Sequence, residues 1–141
     1  MKLVVVDNSV AVTWVMDDER NPHSEQLLAE IRNETIQPIT LSLFWYEFRN
    51  MLLSNVRRRR IGADKPPGLV REMRALGIEE REVPSDDMVL VLGLRHGLTG
   101  YDASYLALAI EARAILATND KQLAQAALRE GLELRTMLDF P

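Results

Sequence analysis

The sequence predicts an α/β fold, with a mainly parallel sheet of about five strands and helices on both of its faces. Three observations carry this expectation. Leu3–Val6 (LVVV) is a continuous apolar run rich in β-branched residues, the pattern of a strand buried on both faces. Further strand candidates recur at 37–40, 80–83, 114–117 and 133–135, and segments with helical periodicity separate them. Strands that alternate with helices need crossovers, which are right-handed and lay the strands side by side in parallel.

After the first strand, residues 10–16 can start a short helix. Pro22 to about Arg32 forms a longer one, with proline in its first turn and Leu27, Leu28 and Ile31 on one face. Gln37–Thr40 is the second strand. A long helix then runs from Ser42 to about Arg59 and ends in four consecutive arginines before Ile61 and Gly62. The break at Pro66 and Pro67 opens a helix over Lys65–Ala75, which Gly77 ends. Glu80–Val83 is a weak third strand, and Pro84 and Ser85 cap a helix that runs to His96 and stops at Gly97. Asp102–Ala112 is a strongly apolar helix and Ala114–Ala117 a short buried strand. Lys121–Glu130 is a helix ended by Gly131, and Glu133–Arg135 is the last strand. No repeat, low-complexity tract or linker interrupts the series, so residues 1–141 read as a single domain.

Composition narrows the chemistry. A 141-residue chain with 47% apolar residues can bury one core. The absence of cysteine removes disulfides, thiolate catalysis and Cys-based zinc sites, and it is compatible with a reducing cytosol. With His23 and His96 as the only histidines, histidine-rich metal chemistry is excluded as well. The opening apolar run is far shorter than a signal-peptide core, and no segment reaches bilayer-spanning length, so a soluble cytoplasmic protein with no membrane partner is expected.

Four acids stand where such a sheet would deliver them to one edge. Asp7 follows LVVV, Glu47 lies in FWYEFRN, Asp102 in TGYDASYLALA, and Asp120 follows AILATN. Parallel α/β sheets bind ligands beyond the carboxyl ends of their strands. Each acid also has a plain structural explanation. Asp7 can cap the short helix, Asp102 completes a capping box with Thr99, and Asp120 can cap the helix that begins at Lys121. Glu47 is the exception, because Phe44, Phe48, Met51, Leu52 and Val56 make its helix apolar. Glu47, Asn50 and Ser54 fall on one narrow polar stripe of that helix.

Gathered carboxylates repel, and some stay protonated unless a cation neutralises them. Oxygen-only donors select hard cations, Mg²⁺ or Mn²⁺. Such a site can acidify a water and stabilise an in-line phosphoryl displacement, so phosphodiester hydrolysis is the natural reaction. The net charge of −4 does not exclude a nucleic-acid substrate. Taking these four acids from the 21 leaves 17, equal to the 17 Lys and Arg.

The series VVDNSVAVTW, LFWYEFRNML, LTGYDASYLALA and LATNDKQL resembles the PIN-domain ribonucleases, in particular the VapC toxins of toxin–antitoxin pairs. The resemblance runs from about Leu3 to Leu134 in matching order and spacing. It implies a three-layer α/β/α sandwich and metal-dependent endonucleolytic cleavage of RNA. It also implies that Asp7 and Asp102 ligate Mg²⁺ directly, while Glu47 and Asp120 act directly or through water. Ser9 and Thr118 match hydroxyls that accompany the first and last acids, and Asn50 matches a polar residue one turn after the glutamate. As partners it implies a cognate VapB-like antitoxin and a second copy in a homodimer. After Asp120 the chain reads Lys-Gln-Leu, so no fifth acid follows.

Other features are less specific. Arg57, Arg58, Arg59 and Arg60 can contact RNA phosphates or simply complement the carboxyl-terminal dipole of their helix. Trp14, Trp45 and Tyr46 can stack a base or pack in the core. Leu27, Leu28, Leu53 and Val56 can face a partner or the interior. Two other functions fit parts of the pattern: an inactive binding module on the same fold, and a phospho-receiver domain. A receiver would need an acidic pair after the first strand and a phosphoacceptor Asp after a central one, whereas the third strand here is followed only by Val83 and Pro84.

Overall fold

A computed structural model of the protein describes residues 1–140. Its centre is a five-stranded parallel sheet in the order β3-β2-β1-β4-β5. The strands are β1 (Lys2–Val6), β2 (Ile36–Thr40), β3 (Glu79–Glu80), β4 (Ile115–Ala117) and β5 (Leu134–Arg135). The helices are α1 (Asn8–Val15), α2 (Pro22–Arg32), α3 (Leu43–Arg57), α4 (Pro66–Arg74), α5 (Asp86–His96), α6 (Gly100–Ala112) and α7 (Lys121–Arg129). The chain steps outward from β1 through β2 to β3, then crosses back to β4 and continues to β5. Right-handed crossovers therefore place α1–α4 on one face and α5–α7 on the other. Val4, Val5 and Val6 are wholly buried, as the central strand of such a sandwich requires.

The register puts Val5 beside Ile39 on one side and Leu116 on the other. The Asp7 amide extends the ladder by donating to the Ala117 carbonyl at 3.3 Å. The reversal of strand order falls between β1 and β4, so Asp7 and Thr118 flank the crevice at the carboxyl edge where ligands bind in this architecture. The amino termini of α3, α6 and α7 open at that same edge. On α3, Phe44 and Phe48 stack at 5.8 Å between centroids, and Trp45 meets Phe44 edge-on at 5.0 Å. Phe44 and Phe48 are fully buried and Trp45 is nearly so, which pins the first two turns of α3 and fixes where Glu47 emerges.

Departures from the expected elements are local. The third strand shrinks from 80–83 to Glu79–Glu80, because only Ile39 and Thr40 offer it a register. Its pairing ends with the Arg81 amide on the Thr40 carbonyl at 2.8 Å, and Pro84 stands just beyond. Pro38 is tolerated within β2 for a related reason, since β3 does not extend far enough to pair beside it. Asp17–Glu19 forms a single 3-10 turn that periodicity gave no sign of. β3 is the outermost strand on its side rather than a central one, which removes the seat a receiver's phosphoacceptor would need.

Candidate active site

Asp7 ends β1 and is only 6% exposed. One carboxyl oxygen accepts from the Ser9 hydroxyl at 2.6 Å and from the Val10 amide at 3.3 Å, so the residue caps α1 as expected. The other accepts from the Thr118 hydroxyl at 2.5 Å. Thr118 follows β4, and its hydroxyl also receives the Asp120 amide at 3.0 Å. Ser9 and Thr118, which the resemblance sets beside the first and last acids, thus both contact Asp7, and Thr118 also meets the Asp120 backbone. Asn119 completes the seam: its backbone amide donates to the Ser9 hydroxyl at 2.7 Å, and its side chain donates to the Ser9 carbonyl and accepts from the Met137 amide and the Thr136 hydroxyl.

Glu47 is half-buried on the second turn of α3. Its carboxylate accepts from the Tyr105 hydroxyl at 2.7 Å and, more weakly, from the Asn8 amide at 3.5 Å. Tyr105 lies on α6, one turn after Asp102, and is 1% exposed. This contact joins α3 to α6 across the ends of the strands. Neither Tyr105 nor Asn8 was identified from sequence. The available signal was the phenol in an Ala/Leu-rich helix, since a buried tyrosine hydroxyl needs a partner and Asp102 marks the direction of the site.

Asp102 stands at the third position of α6, half-buried, and its amide donates to the Thr99 side chain at 3.1 Å. Capping therefore employs its backbone amide, while the Thr99 hydroxyl also lies near enough to the carboxylate to lower its pKa slightly against the effects that raise it. Asp120 is exposed and caps α7 by accepting from the Leu123 amide at 2.9 Å with one oxygen. The capping roles expected for these acids are all present, and they coexist with the grouping.

Electrostatics join the four. Burial, offset by the hydrogen bonds from Ser9, Thr118 and Val10 and aided by the Asp102 charge, pushes the Asp7 carboxyl up to about 6. Asp102 is itself raised, first by partial burial and then by the charges of Asp120 and Glu47. The acids thus repel one another in the metal-free chain, which is the condition a cation relieves. Among the described residues, no three carboxylates close into a cage around one ion. Asn8 adds a buried side-chain oxygen with no hydrogen-bond partner at the base of α1.

The remaining predicted residues divide. Asn50 is exposed one turn beyond Glu47 and makes no recorded hydrogen bond. Arg57, Arg58 and Arg59 are exposed at the far end of α3, roughly 15 Å along the helix from Glu47. Arg60 bonds Asp18 at 2.7 Å, Glu19 at 3.3 Å and the Asn55 side chain at 2.8 Å, locking the end of α3 to the 3-10 turn. Trp14 and Trp45 are core residues, the former donating to the Ser24 carbonyl at 2.9 Å, while Tyr46 is exposed. Leu27 and Leu28 are buried, whereas Leu53 faces solvent.

Replacing Tyr105 with Phe removes the hydrogen bond that holds Glu47. Stability should fall by about 1 kcal/mol. Any turnover that depends on Glu47 should fall roughly tenfold, as for other residues that orient metal-site carboxylates. Melting curves and kcat of the purified variant measure both, and unchanged turnover would remove Tyr105 from the site.

The family model for the PIN domain matches residues 4–128. The chain belongs to the PIN-domain family. This PIN domain is 34% identical over 130 residues to Ribonuclease VapC3 of Pyrobaculum aerophilum, covering 89% of this chain and 94% of that protein. Its fold is also similar to that in the crystal structure of PAE2754 from Pyrobaculum aerophilum. There the TM-score is 0.67 at 23% identity, over 95% of this chain and 83% of the other. No helix of the PIN domain is long and apolar enough to cross a membrane among the described residues.

Proposed function

We propose that this PIN domain is a Mg²⁺-dependent endoribonuclease, with Mn²⁺ able to substitute, and the toxin of a toxin–antitoxin pair. The observation that carries the reading is the convergence of Asp7, Glu47, Asp102 and Asp120 from four separate segments. They lie at the carboxyl edge beside the β1/β4 reversal, close enough that the charges of Asp120 and Glu47 raise Asp102 and that of Asp102 raises Asp7. The similarity to a protein named a ribonuclease supports RNA as the substrate.

Within the site, Asp7 and Asp102 would hold the cation directly, and Glu47 and Asp120 directly or through water. A divalent cation held by these residues would supply Lewis-acid chemistry, the polarisation of a phosphodiester and the acidification of a water. Ser9 and Thr118 fix the Asp7 carboxylate, Tyr105 and Asn8 fix that of Glu47, and Asn50 stands exposed one turn after Glu47 on α3. The test is cleavage of single-stranded RNA by the purified chain with Mg²⁺ or Mn²⁺, against a chelated control. Cleavage that persists undiminished in chelator would overturn the reading.

Arg57, Arg58 and Arg59 are offered as a phosphate track away from the acids, and Arg60, held by Asp18 and Glu19, is left out of it. Neutralising Arg57 and Arg58 together should make the slope of log binding constant against log salt shallower by about 1.4, at roughly 0.7 per single-strand contact. An unchanged slope would take the cluster out of the RNA path. A VapB-like antitoxin and a second copy of the chain are the proposed protein partners. The exposed Tyr46 and Leu53 on α3 and Leu90, Val91 and Leu94 on α5 support such contacts.

A further inference from the structure

A cleft of about 460 Å³ opens beside the acids, and none of the roles described so far uses it. Its walls come from three places: the β2–α3 link at Leu41, Ser42 and Leu43, the segment after β3 at Glu80–Val83, and the first turns of α6 at Tyr101 and Ser104. Tyr101 immediately precedes Asp102, and Leu43 lies one helical turn before Glu47. The cleft is therefore built on the same first turns of α3 and α6 that carry Glu47 and Asp102.

We infer that this cleft seats one unstacked base of the RNA, with Tyr101 as its stacking platform; the inference rests on the ribonuclease reading above. Tyr101 is 65% exposed at the start of a helix, so core packing does not account for it, in contrast to Tyr105 one turn later. Proteins that read single-stranded RNA stack splayed bases on such aromatic faces and satisfy the base edges with nearby polar groups. Polar groups are present here. The Ser42 side chain makes no capping bond to α3, and the Ser104 hydroxyl donates to the Gly100 carbonyl at 2.7 Å while its lone pairs stay available.

Charge decides which part of the nucleotide enters. Glu80 and Glu82 stand on the rim, and Arg81 is already paired with Glu79 at 2.9 Å. A phosphate would be repelled by that rim. A neutral base is not, and an exocyclic amino group on its edge can donate to either carboxylate. Adenine, guanine and cytosine carry such a group whereas uracil offers only its ring N3–H, so the cleft should favour an amino-bearing base over uracil at the nucleotide it holds.

The experiment compares wild type, Tyr101→Ala, Tyr101→Phe and Val83→Trp, the last filling the cleft from the opposite wall. A single-stranded RNA of mixed sequence is cleaved in Mg²⁺ with the cut sites mapped, and binding of 2-aminopurine-labelled RNA is followed without divalent ions by fluorescence quenching. Tyr101→Ala and Val83→Trp should raise KM about tenfold, within the range set by base–aromatic stacking, and flatten the base preference at one position near the cut while kcat stays within about twofold. Tyr101→Phe, which keeps the ring, should restore KM and preference. Wild-type cleavage with KM and cut-site profile unchanged in both cleft variants would overturn the base seat and leave the nuclease reading standing. Should the wild type cut no RNA, the nuclease reading fails by itself. Quenching that is lost in Tyr101→Ala would then still support the base seat, and quenching independent of Tyr101 would overturn it.

Discussion

Asp102→Asn should lower Mg²⁺-dependent RNA cleavage by about 10²–10⁴-fold while leaving the fold intact. The substitution keeps the side chain's size and the backbone bond to Thr99 that caps α6, so α6 loses nothing local. What it removes is a negative charge in mutual repulsion with Asp120 and Glu47. A carboxylate that binds a divalent cation contributes several kcal/mol to stabilising developing charge, and each 1.4 kcal/mol is a factor of ten in rate. Single-turnover cleavage beside a melting curve separates the two effects. A variant that cleaves like wild type would show that the Asp102 carboxylate takes no part in cleavage.

Asp7→Asn should stabilise the metal-free protein at neutral pH even as it abolishes cleavage. Burial lifts the Asp7 carboxyl from 3.8 to about 6. Below pH 4 the group is protonated in both folded and unfolded chains and costs nothing. Between about pH 4 and 6 the unfolded chain gives up its proton while the folded one keeps it, so stability falls as pH rises. Above about pH 6 the folded chain carries the full cost of a buried charge, of the order of 3 kcal/mol from a shift of roughly two units. Asparagine can still accept from Ser9 and Val10 through its one oxygen, but its NH2 group cannot accept the Thr118 hydroxyl and that bond is lost or reversed, so a net gain of roughly 1–2 kcal/mol is expected. Thermal melts in chelator at pH 5 and pH 8 check this, since the advantage of Asp7→Asn should appear at pH 8 and shrink at pH 5. Saturating Mg²⁺ should reverse the order by stabilising only the wild type. A variant less stable at every pH would mean that the hydrogen bonds outweigh the burial.

Much of this was legible in the sequence because it depends on local chemistry. LVVV, the Pro22 start, the Gly97 stop and the Thr99–Asp102 capping box all report what their own few residues prefer, and each element formed close to its expected bounds. The alternation of elements then restricted the topology, and with it the edge to which the four acids go. What could not be read depends on partners distant in sequence. The bond between Tyr105 and Glu47 spans 58 positions, and that between Asn119 and Ser9 spans 110. The short β3 was overestimated because its length is set by how much of β2 is available to pair, not by its own residues. Arg60 looked equivalent to the three arginines before it until the 3-10 turn brought Asp18 and Glu19 alongside.

A Mg²⁺ titration of the full chain, followed through backbone amide NMR shifts in wild type and Asp102→Asn, separates cation binding from catalysis. Saturable shifts should centre on residues 7–9, 47–50, 99–105 and 118–120 in the wild type and be lost or greatly weakened in the variant. Shifts that are absent, or that centre instead on the exposed acids Asp17 and Asp18, would contradict a metal site built from the four converging carboxylates.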